Sequence, residues 1–201
     1  DETSNTSPEL TVSYFPRADL MFYAAFKTGF QSAGISNPGT VPNLAALPTD
    51  VANDTLVFDA TDVEGFEFGM KGRFMDNRLN AELAFFRYES EDLQVGIFNS
   101  NTTTFTLQNA AVALNHGVEA QLVFRANESW DLRASMTYAH LEFDEWANAG
   151  CHPVDGARTD LAQQSAPGCH IGSDGVAIQD LSGVKYGGPP FSINIGATYN
   201  T

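Results

Sequence analysis

Hydrophobic and polar residues alternate along much of this chain, most clearly between residues 65 and 85. In the first half of this stretch the apolar side chains share one parity: Phe66, Phe68, Met70, Phe74. The charged side chains share the other: Glu67, Lys71, Arg73. A period of two is typical of a β-strand, because successive side chains point to opposite faces of the sheet.

A tight turn follows at Asp76-Asn77, since both residue types tolerate the left-handed conformations of hairpin turns. The alternation then resumes from Leu79 to Phe85. The pattern therefore predicts a hairpin with one apolar face and one polar face.

The same pattern predicts about seven strands, joined in order as antiparallel neighbours. Their approximate ranges are 9–15, 20–30, 65–74, 79–98, 104–125, 130–145 and 191–199. A slip of parity predicts a bulge at 89–92. Within the strand predicted at 104–125, we expect a break near Asn115-His116. Residues 31–61 and 146–189 are rich in Gly, Pro, Asp and Asn and are predicted as long loops. Tight turns then lie at one end of the sheet and long loops at the other.

Aromatic residues mark the two ends of the apolar faces, in the pairs Phe66/Phe74, Trp130/Tyr138 and Phe191/Tyr199. Two aromatic girdles flanking an apolar band are typical of a β-barrel in a bilayer. Mid-strand charges such as Glu67, Glu119 and Arg133 would then line a wet lumen. Seven strands do not close such a barrel, and an open edge in lipid leaves backbone groups unpaired. We therefore expect an all-β, antiparallel transmembrane β-barrel, present here as a partial barrel of about seven strands with long extracellular loops.

Composition permits this interpretation. The chain has 201 residues, 43% of them hydrophobic, yet its mean hydropathy is −0.19. It contains no apolar run of about eighteen residues, so a transmembrane helix is not expected. The formal net charge of −15 argues against nucleic acid as a partner. The acidic first residues do not form a signal peptide, so we expect either a mature chain or a fragment of a longer one.

Several segments carry a resemblance to a known family. They are Leu10–Pro16 with Leu20–Phe30, Gly65–Lys71, Phe85–Tyr88 with Asp92–Val95, Asn109–Ala111 with Gly117–Glu119, and Asp180–Gly183 with Pro189–Ser192. In order and spacing these segments resemble the C-terminal part of the β-barrel of TonB-dependent receptors, the outer-membrane active transporters of Gram-negative bacteria.

The resemblance implies a plugged, 22-stranded barrel. It implies uptake of a scarce nutrient, with a ferric siderophore as the expected ligand and a TonB-type energy transducer acting through a plug domain. Residues 1–201 would be a partial barrel domain, without the plug domain and the final C-terminal strands. We expect outer-membrane lipid as a partner, the Gram-negative outer membrane as the location, and no enzymatic activity or cofactor.

The expected ligand contacts lie in loops 31–61 and 146–189, where Phe58 and Trp146 are candidates. Cys151 and Cys169 lie in the second loop, which is expected to face an oxidising space, so we predict a disulfide between them. A zinc site is the alternative, although adjacent Cys-His pairs do not match the usual ligand spacing.

No catalytic constellation is evident. The mid-strand carboxylates Glu67, Glu82 and Glu119 could suggest acid–base chemistry. We expect them instead to pair with cations on the wet face: Lys71, Arg73, Arg125.

Two other functions remain open. The same barrel could take up an oligosaccharide or cobalamin, although the two long loops are poor in the aromatic residues expected for sugars. A soluble β-sandwich binding module would also use alternating strands, with two apolar faces packed together.

Overall fold

A computed structural model describes five parts of the chain: residues 5–35, 57–99, 104–150, 169–171 and 177–200. Within them the structure contains strands and no helix. No described helix is long and apolar enough to cross a membrane.

Twelve strands occur in the described residues. They are β1 (Glu9–Arg17), β2 (Leu20–Gln31), β3 (Gly34–Ile35), β4 (Val57–Phe58), β5 (Thr61–Phe74), β6 (Leu79–Asn99), β7 (Thr104–Arg125), β8 (Trp130–Glu145), β9 (Ala149–Gly150), β10 (His170–Ile171), β11 (Ala177–Gln179) and β12 (Phe191–Tyr199). The seven longest correspond to the seven predicted strands.

These seven strands form one antiparallel sheet in the order β1-β2-β5-β6-β7-β8-β12. Every long strand therefore pairs with its successor among the long strands, as predicted. The sheet is not closed, and β1 and β12 are its edges. The prediction of a partial antiparallel barrel wall is confirmed.

The hairpin between β5 and β6 turns at residues 75–78, where the Arg78 amide donates to the Met75 carbonyl at 3.1 Å. Asp76 and Asn77 have φ values of 56° and 62°, so the predicted turn is confirmed. Met75 also has a positive φ of 57°, which its residue type does not favour and which the sequence did not indicate.

The predicted bulge is also confirmed. The β6–β7 register shifts between Ser90 and Leu93, and Asp92 adopts a φ of 52°. The predicted break near Asn115-His116 is wrong, because both residues pair in regular register with β6 and β8. The irregularity in β7 lies earlier, where the β7–β8 register shifts between Val112 and Ala113.

The two long loops are partly structured. Strands β3 and β4 pair with each other inside 31–61, and β9, β10 and β11 form a three-stranded sheet inside 146–189. Residues 36–56, 100–103, 151–168 and 172–176 lie outside the described residues.

The strands differ greatly in length. Strand β6 has 21 residues, which corresponds to roughly 70 Å, whereas about 9–11 residues suffice to cross a bilayer. Roughly half of β6 and of β7 therefore extends beyond a bilayer-spanning length, at the end that carries the long connections. Long loops at one end and short turns at the other are typical of outer-membrane barrels.

Few side chains are buried in the sheet itself. The buried apolar cluster lies at the base of the long connections and is formed by Ala111, Ala113 and Phe143. Over the rest of the seven-stranded sheet, large apolar side chains such as Phe68, Phe85 and Ile193 remain exposed. No second sheet covers them in the described part of the chain, so the soluble sandwich lacks its second layer.

Candidate functional site: the polar face of the sheet

The polar face is organised around Glu67 on β5. Its carboxylate accepts hydrogen bonds from Tyr23 (2.5 Å), Lys27 (2.8 Å) and Tyr88 (3.1 Å). The tyrosines come from β2 and β6, the two neighbours of β5, so the three strands are joined at one carboxylate. We call Tyr23, Lys27, Glu67 and Tyr88 the Glu67 cluster.

Two glycines make this cluster possible. Gly69 lies directly opposite Tyr23, and Gly65 lies directly opposite Tyr88. A Cβ at Gly69 would lie 2.5 Å from the Tyr23 hydroxyl oxygen and closer still to the ring, and a Cβ at Gly65 would overlap the Tyr88 ring. Each ring therefore covers a glycine, in the way that aromatic side chains compensate for glycine in strands. This arrangement directs both hydroxyl groups towards Glu67, the residue midway between the glycines.

The sequence indicated only part of this cluster. Glu67 was expected to pair with Lys71, Arg73 or Arg125, but its cation is Lys27. The reason is the register of the two strands. Lys27 lies opposite Gly65, and because glycine has no side chain, the Lys27 side chain can reach the Glu67 carboxylate. The available signal was the Gly-x-Glu-x-Gly spacing within a strand.

Other ion pairs follow the polar face towards the turn end of the sheet. Lys71 pairs with Glu82 at 3.1 Å, as expected, and Arg125 pairs with Asp131 at 3.5 Å. Glu119 makes no ion pair with any described residue. These exposed pairs each contribute about 0–1 kcal/mol to stability, so they set the charge of the wall more than its strength.

Chemically, the Glu67 cluster is a fixed polar wall and not a reactive group. Both carboxylate oxygens are engaged, and the single negative charge is balanced by Lys27. Among the described residues, no group of three or more His, Cys, Asp or Glu side chains could hold a metal ion. What this face offers is a shallow groove between Tyr23, Glu82 and Glu119, suited to polar contacts.

The opposite face is apolar and ends in aromatic pairs. At the turn end the rings of Trp130 and Tyr199 lie 5.0 Å apart, and towards the loop end those of Phe26 and Phe66 lie 5.1 Å apart. Aliphatic and aromatic side chains fill the rows between them. This confirms the predicted two-faced sheet, with the face that suits lipid opposite the face that suits water.

A polar network fastens loop 31–61 to the β6–β7 hairpin. Asn109 accepts from the Asp59 amide at 2.6 Å and donates to the carbonyls of Asp59 (2.9 Å) and Asp92 (2.7 Å). Thr61, only 2% exposed, donates to the Asp92 carbonyl and accepts from the Gln94 amide. These contacts provide hydrogen-bond partners for backbone groups that the bulge leaves unpaired. We call the five residues the loop clamp: Asp59, Thr61, Asp92, Gln94 and Asn109. The sequence marked Asn109 as a family motif residue but did not indicate this role.

An aromatic cluster fastens the second long connection. The Phe143 ring stacks on Tyr186 at 4.4 Å and meets Trp146 edge-on at 4.6 Å. Burial raises the pKa of Tyr186, and hydrogen bonds from Ser182 lower the pKa of Asp180 nearby. Trp146, a candidate for ligand contact, is thus half-buried in this cluster, whereas Phe58 packs beside Gly34 in the β3–β4 pair.

The remaining site predictions fall largely outside the described residues. Cys169 is described and Cys151 is not, so their disulfide stays a prediction. The same holds for ligand contacts in loops 31–61 and 146–189, whose central parts are not described.

Comparison with known proteins gives a consistent result. The family model for "TonB dependent receptor-like, beta-barrel" matches residues 1–201. The probable TonB-dependent siderophore receptor PiuA of Acinetobacter baumannii is 28% identical over 131 residues, which are 65% of this chain and 16% of that protein.

The fold also occurs in solved structures, among them the following two. The siderophore receptor PiuA from Acinetobacter baumannii matches with a TM-score of 0.59 and 20% identity, over 95% of this chain and 23% of that one. The ferripyoverdine receptor of Pseudomonas aeruginosa, bound to ferripyoverdine, matches with a TM-score of 0.52 and 19% identity, over 71% of this chain and 18% of that one. The chain therefore spans less than a quarter of the length of these relatives.

Proposed function

The chain belongs to the TonB-dependent receptor-like β-barrel family, and from this premise we propose that it forms part of the barrel wall of an outer-membrane receptor for a ferric siderophore. Members of the family are transporters of the Gram-negative outer membrane and not enzymes. The seven strands would supply about a third of a 22-stranded barrel.

The observation that carries this proposal is the opposition of the two faces. One face presents an unbroken apolar band between aromatic pairs, and the other presents the Glu67 cluster and further ion pairs. A bilayer favours the first and a wet lumen requires the second. Several charges of this wall, those of Glu67, Glu82 and Asp131, are paired with neighbouring cations, which suits a surface along which other polar groups must pass without being trapped.

We further propose that the rest of the protein supplies a plug domain, and that a TonB-type transducer acts on that plug to release the ligand into the lumen. In this scheme residues 1–201 bind no transducer themselves. The long connections at 31–61 and 146–189 would contact the ligand from outside, held in place by the loop clamp and the aromatic cluster.

The ligand class rests on the named relatives, one of which, at 28% identity, is named a probable TonB-dependent siderophore receptor. An oligosaccharide or cobalamin is the second candidate, because binding residues lie mainly on loops and a change of loops leaves the barrel wall unaltered.

Measuring the uptake of labelled iron tests the ligand class. The gene for the complete receptor would be expressed in a Gram-negative strain that has lost its own siderophore receptors, and uptake of ⁵⁵Fe from a panel of ferric siderophores would be measured. We expect energy-dependent uptake from at least one siderophore. Uptake of labelled cobalamin or an oligosaccharide, with no iron uptake from any siderophore, would favour the second candidate.

A further inference from the structure

The apolar face of the sheet, opposite the Glu67 cluster, carries an unusual row of side chains just beyond its apolar band. Arg87 on β6, His116 on β7 and His140 on β8 are direct cross-strand partners. The same row continues on the other side with the aromatic pair Phe26 and Phe66. In this row of cross-strand partners, three adjacent strands carry nitrogen-bearing side chains where the neighbouring strands carry aromatic rings. The chain has only 10 Lys and Arg residues in total.

The height of this row follows from β8. Trp130 and Tyr138 end the apolar band on this strand, and His140 is the next residue on the same face. A strand rise of about 3.4 Å separates Trp130 from Tyr138 by roughly 27 Å, or about 20 Å along the membrane normal at a tilt of about 40°. That distance is close to the roughly 25 Å of a barrel's apolar band. His140 and its row therefore lie where lipid headgroups begin, on the side of the long loops.

Arg87 and His116 are accessible, whereas the His140 side chain is only 16% exposed. The Arg87 side chain is 59% exposed, and its ion pair with Glu89, at 3.4 Å, is of the weak, solvent-exposed kind. His116 is exposed, and its ring lies 4.9 Å from that of His140. Lys185 lies opposite Glu142 through a backbone β-bridge, one row further from the apolar band.

Acidic residues bound the row on its far side. Glu64 and Glu89 pair directly in the next outward row, and Glu142 lies two residues beyond His140 on the same strand. The Nε2 atom of His140 lies 2.9 Å from a Glu142 carboxylate oxygen, which fixes the imidazole. A negative group is therefore attracted at the height of Arg87 and repelled one step further from the membrane.

We propose that Arg87, His116 and His140 form a docking row for the phosphate headgroup of an outer-leaflet lipid. Its acyl chains would lie on the apolar band beneath, along Phe85, Val118 and Tyr138. Arginine binds phosphate through paired N–H donors, and the exposed His116 imidazole supplies a further donor. His140, held by Glu142, lies against the His116 ring and positions it. The row holds the receptor at a defined depth, whatever nutrient it carries.

Native mass spectrometry of the complete receptor in neutral detergent tests this proposal. The receptor would be equilibrated with equal amounts of phosphatidic acid and phosphatidylcholine bearing the same acyl chains. We expect preferential retention of phosphatidic acid. The triple variant Arg87→Gln, His116→Gln, His140→Gln should lose that preference at least about fivefold, the effect of roughly one surface cation.

Arg17→Gln is the matched control. Arg17 is 58% exposed, pairs with Asp19 at 3.2 Å and lies at the turn end of the sheet. We expect less than a twofold change, because it is a lone cation outside the row. Equal losses in the control and the triple variant would overturn the proposal, as would retention of the preference in the triple variant. Displacement of phosphatidic acid by an equal concentration of inorganic phosphate would overturn the assignment to lipid.

A measurement on the unaltered receptor covers the case in which the triple variant does not fold. Phosphatidic acid with a photoreactive headgroup would be crosslinked to the receptor in vesicles and the labelled peptides mapped. We expect labelling around residues 87, 116 and 140. Labelling spread evenly over both rims of the barrel would contradict the proposed row.

Discussion

Replacing Gly69 by alanine tests whether the Glu67 cluster depends on the space that glycine leaves. The new Cβ would lie 2.5 Å from the Tyr23 hydroxyl oxygen and closer to two ring carbons, whereas ordinary contacts begin near 3.4 Å. The ring must therefore move away from β5. In doing so it gives up the 2.5 Å hydrogen bond to Glu67.

Both losses have known orders of magnitude. Overpacking costs about 1–3 kcal/mol, and a hydrogen bond to a charged group contributes about 1.5–3 kcal/mol. Because the cluster is only half-buried, we expect the lower part of their sum, about 2.5–4 kcal/mol of unfolding free energy. The measurement is urea-induced unfolding of the receptor in lipid vesicles, followed by tryptophan fluorescence.

Gly29→Ala is the matched control, because Gly29 lies on the same face of the adjacent strand β2. A Cβ there meets nothing within 4 Å, and its φ is not in the left-handed region. Alanine then only reduces the freedom of the unfolded chain, so this variant should be neutral or more stable by up to about 1 kcal/mol. The two substitutions are thus expected to have opposite signs.

A double-mutant cycle isolates the cause. In a Tyr23→Ala background the space above Gly69 is open, so Gly69→Ala should cost less than about 0.5 kcal/mol. Equal effects of Gly69→Ala and Gly29→Ala in the parent receptor would refute the packing of Tyr23 on Gly69.

Three other outcomes are expected. Asn109→Ala removes three hydrogen bonds of the loop clamp and should speed amide exchange at Asp59 at least tenfold, with little change in the sheet; unchanged exchange would contradict the clamp. Phe143→Ala should cost about 3–5 kcal/mol locally, because the ring is 8% exposed between two aromatic partners, and Phe143→Leu should cost less; proteolysis rates between residues 141 and 150 would show this. If Cys151 and Cys169 form a disulfide, the intact mass should rise by two hydrogen atoms on reduction, whereas alkylation of both thiols without reductant would disprove the bond.

The local pattern of the sequence determined much of the fold. Alternation with a period of two predicted the seven long strands, their antiparallel order and the two faces, because parity along a strand fixes which face a side chain occupies. Turn chemistry located the Asp76-Asn77 hairpin, and a slip of parity located the bulge near Asp92. These features depend on residues close together in the chain.

Only the tertiary structure decided which side chains meet across strands. Register made Lys27 the cation of Glu67, placed Tyr23 and Tyr88 over glycines, and aligned Arg87 with two histidines from other strands. Parity determines the face of the sheet on which a side chain lies, but not its position along the strand direction. A register shift of two residues keeps every side chain on its face but changes its cross-strand partners. The faces could therefore be predicted from the sequence, whereas the Glu67 cluster, the loop clamp and the docking row required the pairing of strands far apart in the chain.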